Sequence, residues 1–302
     1  MIKLFSLTLV SACVFTACSQ AENERDSVPQ ITKTTEITTG EQTNGSFTVE
    51  NQEEFNPNGT TIEDRYNVPE GFQRISADSM SFAYYLRNLP LKTEDEEATY
   101  YNGDKKPKGR IYKSVVDLPI GNKNLHQCAD AVMRFRAEYL WRTGQHNDIH
   151  FNFTNGFRVD YSKWLAGNRM NIKGNRTYWS PGAARSNTYS TFWKYMELIF
   201  NYAGTLSLEK ELLPRDYEKM QIGDVLIQGG SPGHAVIVVD MCENLKTGEK
   251  RYLLAQSYMP AQETQVLINS ENPATSWYSL DTDKDVIYTP EWTFYSSNLK
   301  HF

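Results

Sequence analysis

The clearest periodic pattern along the chain is an apolar stripe at helical spacing over residues 125–143. Its large apolar residues recur three and four positions apart, as on one face of an α-helix: Val132, Phe135 and Tyr139. Asn124 is the predicted N-cap, and Gly144 is the predicted residue after the C-cap. Opposite charges four positions apart predict two ion pairs along this helix: Asp130 with Arg134 and Glu138 with Arg142.

The same criteria predict further helices and several strands. Helical spacing marks residues 79–88, 186–202 and 206–213, and the last of these ends before Pro214. Alternating or continuously apolar runs bounded by turn residues predict strands at 110–118, 149–153, 224–228, 234–241, 251–256 and 265–268. Because helices come first and strands later, the pattern predicts an α+β fold in which N-terminal helices pack against a C-terminal antiparallel sheet.

Residues 1–17 have the pattern of an export signal: a positive start, then a twelve-residue apolar stretch that is too short to span a bilayer. The tetrapeptide Thr16-Ala17-Cys18-Ser19 that follows resembles a bacterial lipobox. The resemblance implies cleavage before Cys18 and lipidation of its thiol and new amine. It also implies a membrane anchor in the bacterial cell envelope, at the outer membrane or the cell surface. An ordinary secretory signal followed by a chance cysteine is the alternative.

Residues 18–60 are predicted to be a flexible tether. Thr, Glu, Asn and Gln dominate this segment, and large apolar residues are sparse, so it cannot bury enough surface to offset the entropy of folding. The remaining residues, 61–302, are predicted to form a single globular α+β domain. That length is sufficient for a core that needs no metal or disulfide staples.

Charge and cysteine content narrow the classes of function. The 302 residues carry a formal net charge of −6 and contain no basic blocks, which argues against nucleic acid as a partner. The Gly-Gly-Ser-Pro-Gly run at residues 229–233 lacks the lysine and the following helix of a phosphate-binding loop, and the sequence predicts no cofactor. The four cysteines are too few for a disulfide scaffold.

Three residues carry the candidate chemistry. Cys128 lies in the first turn of the predicted helix at 125–143, where the partial positive charge of a helix start favours a thiolate. His234 opens the apolar strand at 234–241 and can present its ring at a sheet edge. Gln256 ends the next strand, where its amide can accept the imidazole N–H and fix the tautomer. Each residue alone has an ordinary structural interpretation, and only their order together favours catalysis.

This order of cysteine, histidine and amide resembles that of papain-like cysteine peptidases and, among bacteria, of NlpC-type and related cell-wall amidases. The segments Gly-Asp-Val-Leu-Ile at 223–227 and Gly-His-Ala-Val-Ile-Val-Val at 233–239 look like the paired strands that carry the family's histidine. The resemblance implies a papain-like core and hydrolysis or transfer at an amide bond, with cell-wall peptide as the expected substrate. Cys128 would be the nucleophile, His234 the base, and Gln256 would stand in place of the usual Asn.

The sequence does not decide which residue donates the second hydrogen bond to the oxyanion. The backbone N–H of Cys128 is one candidate donor. The resemblance also calls for a glutamine a few residues before the nucleophile, and the sequence has no convincing one. Gln127 adjoins the cysteine, and Asn122 and Asn124 are further candidates.

A disulfide is the main rival interpretation, because Cys128 and Cys242 could pair in an oxidising compartment. Cys242 lies eight residues beyond His234 on one predicted strand, which is about 26 Å at the usual rise per residue. A bridge requires Cα atoms within about 7 Å, so Cys128 cannot readily reach both residues. We therefore favour the pairing of Cys128 with His234.

Metal binding and ligand binding are two further alternatives. Metal binding is the weaker one, since no Cys-x-x-Cys pair accompanies the nearby candidates: His126, Cys128, Asp130, His146 and His150. Aromatic residues make up 13% of the chain, and clusters such as Tyr178-Trp179 and Trp292-Thr293-Phe294-Tyr295 could stack on sugars. This content supports a non-catalytic lipoprotein that binds glycan or peptide on a decayed papain-like scaffold.

At the scale of the whole chain, the sequence resembles an uncharacterised bacterial lipoprotein family, domain of unknown function 4846. The run Gln127-Cys128-Ala129-Asp130-Ala131-Val132-Met133 and the charged residues after it carry this resemblance. The resemblance itself implies no particular chemistry.

Overall fold

The computed structural model describes residues 54–302. The predicted export signal, the predicted lipidation site Cys18 and most of the predicted tether lie outside the described residues. Among residues 54–302 there are six α-helices: α1 (Ile62–Arg65), α2 (Phe82–Arg87), α3 (Cys128–Arg142), α4 (Tyr161–Leu165), α5 (Tyr189–Tyr202) and α6 (Thr205–Glu211). Short 3₁₀ turns occur at Tyr217–Lys219 and Ser296–Asn298.

The strands form one large antiparallel sheet and four small hairpins. The large sheet has nine strands: β1 (Gln73–Arg74), β4 (Tyr112–Val115), β9 (Leu213–Pro214), β10 (Val225–Gln228), β11 (His234–Glu243), β12 (Lys250–Gln256), β13 (Gln265–Leu267), β14 (Tyr278–Ser279) and β17 (Leu299–His301). The hairpins are β2 (Ala98–Thr99) with β3 (Lys105–Lys106), β5 (His150–Asn152) with β6 (Arg158–Asp160), β7 (Asn168–Lys173) with β8 (Arg176–Pro181), and β15 (Val286–Tyr288) with β16 (Thr293–Tyr295).

The large sheet runs in the order β4-β13-β12-β11-β10-β17-β9, with β1 added to β11 and β14 added to β12. Every pairing within it is antiparallel. The prediction of an α+β fold with a largely C-terminal antiparallel sheet is therefore confirmed. Both β11 and β12 lie in the interior of the sheet, so the strands that carry His234 and Gln256 are neighbours.

The sheet is buried on both faces, which explains why the run from Ala235 to Val239 is continuously apolar rather than alternating. Ala235, Ile237 and Val239 face the helices, and Val236 and Val238 face the opposite side. A register shift between Val238 and Asp240 then inserts one residue against β12. Because of this bulge the alternation changes phase, and Cys242 lies on the helical face while Met241 lies on the other.

The helical face of the sheet carries the larger core. Helix α3 packs on β11 and β12 and contacts α5 and α6. Its buried residues surround nearly the whole helix, so α3 is a central helix rather than a surface one. Phe192, Tyr195, Met196 and Ile199 of α5 complete this core from outside.

Helix α3 begins three residues later than the apolar pattern suggests. Gln127, not Asn124, is the N-cap, and its backbone N–H donates to Asp130 Oδ2 at 3.0 Å. The predicted end is confirmed, because Gly144 follows the C-cap with φ of +76°. The late start places Cys128 at the first helical position.

One of the two predicted ion pairs on α3 forms and the other does not. Arg142 reaches Glu138 at 3.2 Å as predicted, but Arg134 bonds Glu138 at 2.9 Å and not Asp130. Glu138 also accepts from the Tyr189 hydroxyl at 2.8 Å. Because the Tyr189 hydroxyl of α5 also bonds Glu138, this carboxylate has more hydrogen-bond partners than Asp130. Spacing along α3 could not predict a contact from another helix.

Residues 54–60, which composition assigns to the tether, pack against the domain. Phe55 forms a bridge with Tyr66, and the rings lie 5.6 Å apart edge to face. Gly59 accepts hydrogen bonds from the buried guanidinium of Arg65 through its carbonyl. Within residues 54–302, no helix combines the length and the apolar character that a membrane span needs.

Candidate functional site

Cys128 lies at the start of α3, against the edge of β11. Its side chain is 6% exposed, and the sulfur receives the backbone amide of Ala235, the residue directly after His234. The amides of Cys128 and Ala129, at the helix start, also lower the pKa of the thiol. The helix start and the strand start that the sequence singled out therefore meet at this sulfur.

His234 is the first residue of β11 and is 1% exposed. Its Nε2 atom lies 2.8 Å from Oε1 of Gln256, the last residue of β12. An amide oxygen only accepts, so Nε2 carries the proton and Nδ1 presents a lone pair. This is the tautomer that a base acting through Nδ1 requires.

Aromatic rings cover the imidazole. The ring centroids of Tyr258, Trp292 and Phe294 lie 4.7, 5.5 and 5.9 Å from that of His234. Trp292 donates through its indole N–H to Gln228, the residue opposite His234 in the β10–β11 pairing. Burial, followed by the Glu291 carboxylate, raises the pKa of the Tyr258 hydroxyl, and the nearby Cys128 sulfur has a smaller effect in the same direction. Tyr258 and Trp292 are half-buried and lie over the buried residues His234 and Cys128.

The resting state of Cys128 and His234 is uncharged. Burial, followed by the Asp130 carboxyl, raises the pKa of the Cys128 thiol to about 11, despite the amides that favour the thiolate. Burial lowers the pKa of His234 to about 4, against the hydrogen bond that its Nε2–H donates to Gln256, which raises the pKa. The helix start favours the thiolate, as expected, but desolvation outweighs this effect, so the pKa of the thiol is raised.

The ion pair of Lys106 and Glu291, which contacts the Gln256 amide, was not predicted from the sequence. Gln256 donates through Nε2 to Glu291 Oε2 at 2.6 Å, and the Lys106 ammonium bonds the same oxygen at 2.6 Å. Lys106 comes from β3 and Glu291 from the turn between β15 and β16. These residues are 185 positions apart in the chain, and no local pattern links them.

The predicted oxyanion candidates lie around the start of α3. Asn124 accepts from the backbone N–H of Ala261 at 2.8 Å and from Gln127 Nε2 at 3.4 Å. Gln127 is half-buried and Asn122 is exposed. Their role in holding an oxyanion stays a prediction.

Comparison with protein families gives one match. A family model described as a domain of unknown function (4846) matches residues 62–301, which is most of the chain and the whole of the sheet. The chain belongs to this family. Neither the curated proteins nor the solved structures give a match.

The cysteines of the 4846 domain are not bridged. Cys128 and Cys242 are both buried and free. His234 and Cys242 lie near opposite ends of the single strand β11, as the argument from strand rise supposes. The domain thus brings Cys128 to Ala235, the residue after His234, and leaves Cys242 beside Arg74 and Arg251.

The residues of the metal-binding alternative are dispersed. His126 contacts the Gln262 carbonyl at 3.2 Å, His150 contacts Glu211 at 2.8 Å, and His146 contacts Asn187 at 3.3 Å. Over residues 54–302, no three His, Cys, Asp or Glu side chains are grouped to hold a metal ion.

The aromatic clusters are divided between core and surface. Trp277 and Tyr278 are buried, and Trp292 and Phe294 cover His234. Tyr178 is exposed on the β7–β8 hairpin, a pair of strands that the sequence analysis did not predict. Of the rings predicted to stack on sugars, Phe294 is buried, Trp179 and Trp292 are half-buried, and Tyr178 and Tyr295 are exposed.

Gly233→Ala is expected to destabilise the domain by about 1–3 kcal/mol and to displace His234. A Cβ atom at Gly233 would lie 2.6 Å from Thr205 Oγ1, 2.7 Å from the Gly230 carbonyl and 2.8 Å from the Gln228 carbonyl. Urea denaturation measures the effect. Gly204→Ala is the matched control, because a Cβ there meets nothing within 4 Å. Equal losses in the two variants would contradict the prediction.

Proposed function

We propose that this domain is a cysteine-dependent amide hydrolase with a papain-like core, in which Cys128 is the nucleophile. The observation that carries the proposal is the meeting of Cys128, at a helix start, with the strand that opens on His234, whose Nε2 is held by Gln256 at 2.8 Å. A nucleophile, a base and a group that orients the base are the parts that acyl transfer requires.

The proposed reaction uses His234 first as a base and then as an acid. The Cys128 sulfur attacks the carbonyl carbon of the amide, and the thiol proton passes to Nδ1 of His234. The oxyanion that forms is met by the backbone N–H of Cys128 at the start of α3. The imidazolium then gives its proton to the leaving amine, and water hydrolyses the thioester to free the sulfur.

The resting pair is neutral, so the proton transfer accompanies the attack instead of preceding it. With pKa values of about 11 for the thiol and about 4 for the imidazole, both groups are uncharged between those limits. Activity is therefore expected to need the neutral imidazole and to fall below about pH 4 as His234 becomes protonated.

The substrate and location follow from the sequence features within this proposal. A lipid on Cys18 would hold the domain at the bacterial cell envelope, where peptide of the cell wall offers amide bonds. The predicted tether would give the domain reach from the membrane surface.

Iodoacetamide labelling near neutral pH tests the proposal. Cys128 is expected to be labelled about a hundredfold faster in the natural chain than in His234→Ala, because general-base assistance is lost. Peptide mapping separates Cys128 from Cys242. His150→Ala is the matched control, since that histidine bonds Glu211 outside the site. Equal slow labelling in the natural chain and in His234→Ala would contradict the proposal.

Burial of the pair favours one other function. Cys128 and His234 are only 6% and 1% exposed, beneath aromatic rings. Such burial suits a structural role for both residues in a domain that binds glycan or peptide without cleaving it. A glycan-array or peptide-array signal that survives Cys128→Ser, together with slow labelling of Cys128, would support this binding function.

A further inference from the structure

We propose that the ion pair of Lys106 with Glu291 determines which way the Gln256 amide faces and thereby fixes the tautomer of His234. Glu291 and Lys106 are positioning residues in this proposal, which rests on the proposed function. They act on the tautomer through Gln256, and the Lys106 charge also lowers the pKa of His234 from a distance.

The contacts form a continuous chain from the imidazole to the ammonium. His234 Nε2 lies 2.8 Å from Gln256 Oε1, Gln256 Nε2 lies 2.6 Å from Glu291 Oε2, and Lys106 Nζ lies 2.6 Å from that same oxygen. Gln256 is 1% exposed, so water does not compete for its amide. Each step therefore depends on the next through a direct hydrogen bond.

The direction of these hydrogen bonds follows from which groups can donate and which can only accept. A glutamine amide can be turned end for end at little steric cost, so its own shape does not decide which end faces His234. A carboxylate only accepts hydrogen bonds. Glu291 therefore draws the NH₂ group of Gln256 toward itself, and the amide oxygen is left facing Nε2 of His234.

The oxygen then decides the protonation of the ring. Because Oε1 can only accept, Nε2 must carry the proton and Nδ1 must be the free base. If the amide were reversed, its NH₂ group would face Nε2, and the neutral imidazole would carry its proton on Nδ1. In that state Nδ1 could not accept the thiol proton from Cys128.

Lys106 holds Glu291 in place. Lys106 is 4% exposed, and the three donors of its ammonium bond Glu291 at 2.6 Å, Gln262 Oε1 at 2.9 Å and Gln265 Oε1 at 3.4 Å. Gln265 lies directly opposite Gln256 in the β12–β13 pairing. Lys106 is therefore fixed to the same part of the sheet as Gln256. Its charge holds the Glu291 carboxylate beside the NH₂ group of Gln256.

The test is the tautomer of His234, read from the ¹⁵N chemical shifts of its ring in histidine-labelled protein near neutral pH. The natural chain is expected to carry the proton on Nε2. The His234 signals are identified by their loss in His234→Ala. Glu291→Gln is expected to give a mixture of tautomers and about tenfold slower labelling of Cys128, because a glutamine at 291 can donate or accept.

The double variant Lys106→Glu with Glu291→Lys sharpens the test. It keeps one ion pair but presents a donor to Gln256, so the amide should reverse and His234 should carry its proton on Nδ1. Glu263→Gln is the matched control, because Glu263 bonds Lys92 at 2.7 Å instead. It is expected to leave the tautomer unchanged.

Retention of the proton on Nε2 in a folded double variant would overturn the proposal. If that variant does not fold, Glu291→Gln decides: an unmixed Nε2 tautomer overturns the proposal and a mixture supports it. The tautomer is read without activity or substrate, so these results stand apart from the labelling of Cys128. Slow labelling with the expected tautomers would reject the hydrolase and keep the positioning role.

Discussion

Asp240→Ala is expected to lower the free energy of unfolding by about 3–5 kcal/mol, because it leaves two arginines without their shared carboxylate in the interior. Asp240 is 0% exposed and lies at the bulge of β11. Its carboxylate bonds Arg87 Nε at 2.8 Å, bonds the Arg74 guanidinium, and accepts from its neighbouring backbone amide at Met241 at 2.8 Å. Removal of the acid therefore costs both the attraction and the bulge geometry.

Urea denaturation of the two chains measures this loss. Asp281→Ala is the matched control, because Asp281 is partly exposed and lies 4.0 Å from Lys284. That change is expected to cost less than about 1 kcal/mol. A loss of similar size for both variants would show that the two arginines find other partners when Asp240 is removed.

Between about pH 7 and about pH 4, His126 is expected to lower the free energy of unfolding by about 3 kcal/mol, and His126→Leu is expected to abolish this decrease. Burial, followed by the charge of Arg134, lowers the pKa of His126 from 6.5 to about 3. As the pH falls below 6.5, the unfolded chain binds a proton at this residue and the folded chain does not. The stability that the neutral ring contributes is thus complete above pH 6.5 and is lost as the pH falls toward 3.

The comparison of the two chains isolates this histidine. Burial raises the pKa of Asp130 and of Asp224, and these acids act in the opposite direction, but both are unchanged in the variant. The Gln262 carbonyl keeps a donor, because Ser257 Oγ also bonds it at 2.7 Å. The unfolding free energy of the natural chain minus that of the variant should therefore decrease with acid. A difference that stays constant across this pH range would contradict the prediction.

The elements that hold the site could be predicted because each has a local pattern. Residues 125–143 show helical spacing, and the run after His234 is apolar at every position, as a strand buried on both faces requires. The small pieces, such as β7–β8 and α4, were missed because they carry mixed polar and apolar residues over short lengths. Their positions are decided by tertiary packing.

The candidate site could be predicted only as far as its sequence order. Cys128, His234 and Gln256 each stand at an element boundary that the sequence shows, and the sheet brings these boundaries together. The protonation of the pair could not be foreseen, because it depends on burial under Tyr258 and Trp292. The pairing of Lys106 with Glu291 could not be predicted either, because only the folded chain makes them neighbours.

The central position of β11 has a consequence for hydrogen exchange. The strand pairs with β12 along one side, and with β10 and then β1 along the other. Its amide protons should therefore exchange only when the whole domain unfolds. In the segment after Gln256, Met259 is 52% exposed, whereas Gln262 is buried and forms a bridge with Tyr100, so exchange without global unfolding is expected only around Met259. The backbone of His234 should therefore be as persistent as the fold itself.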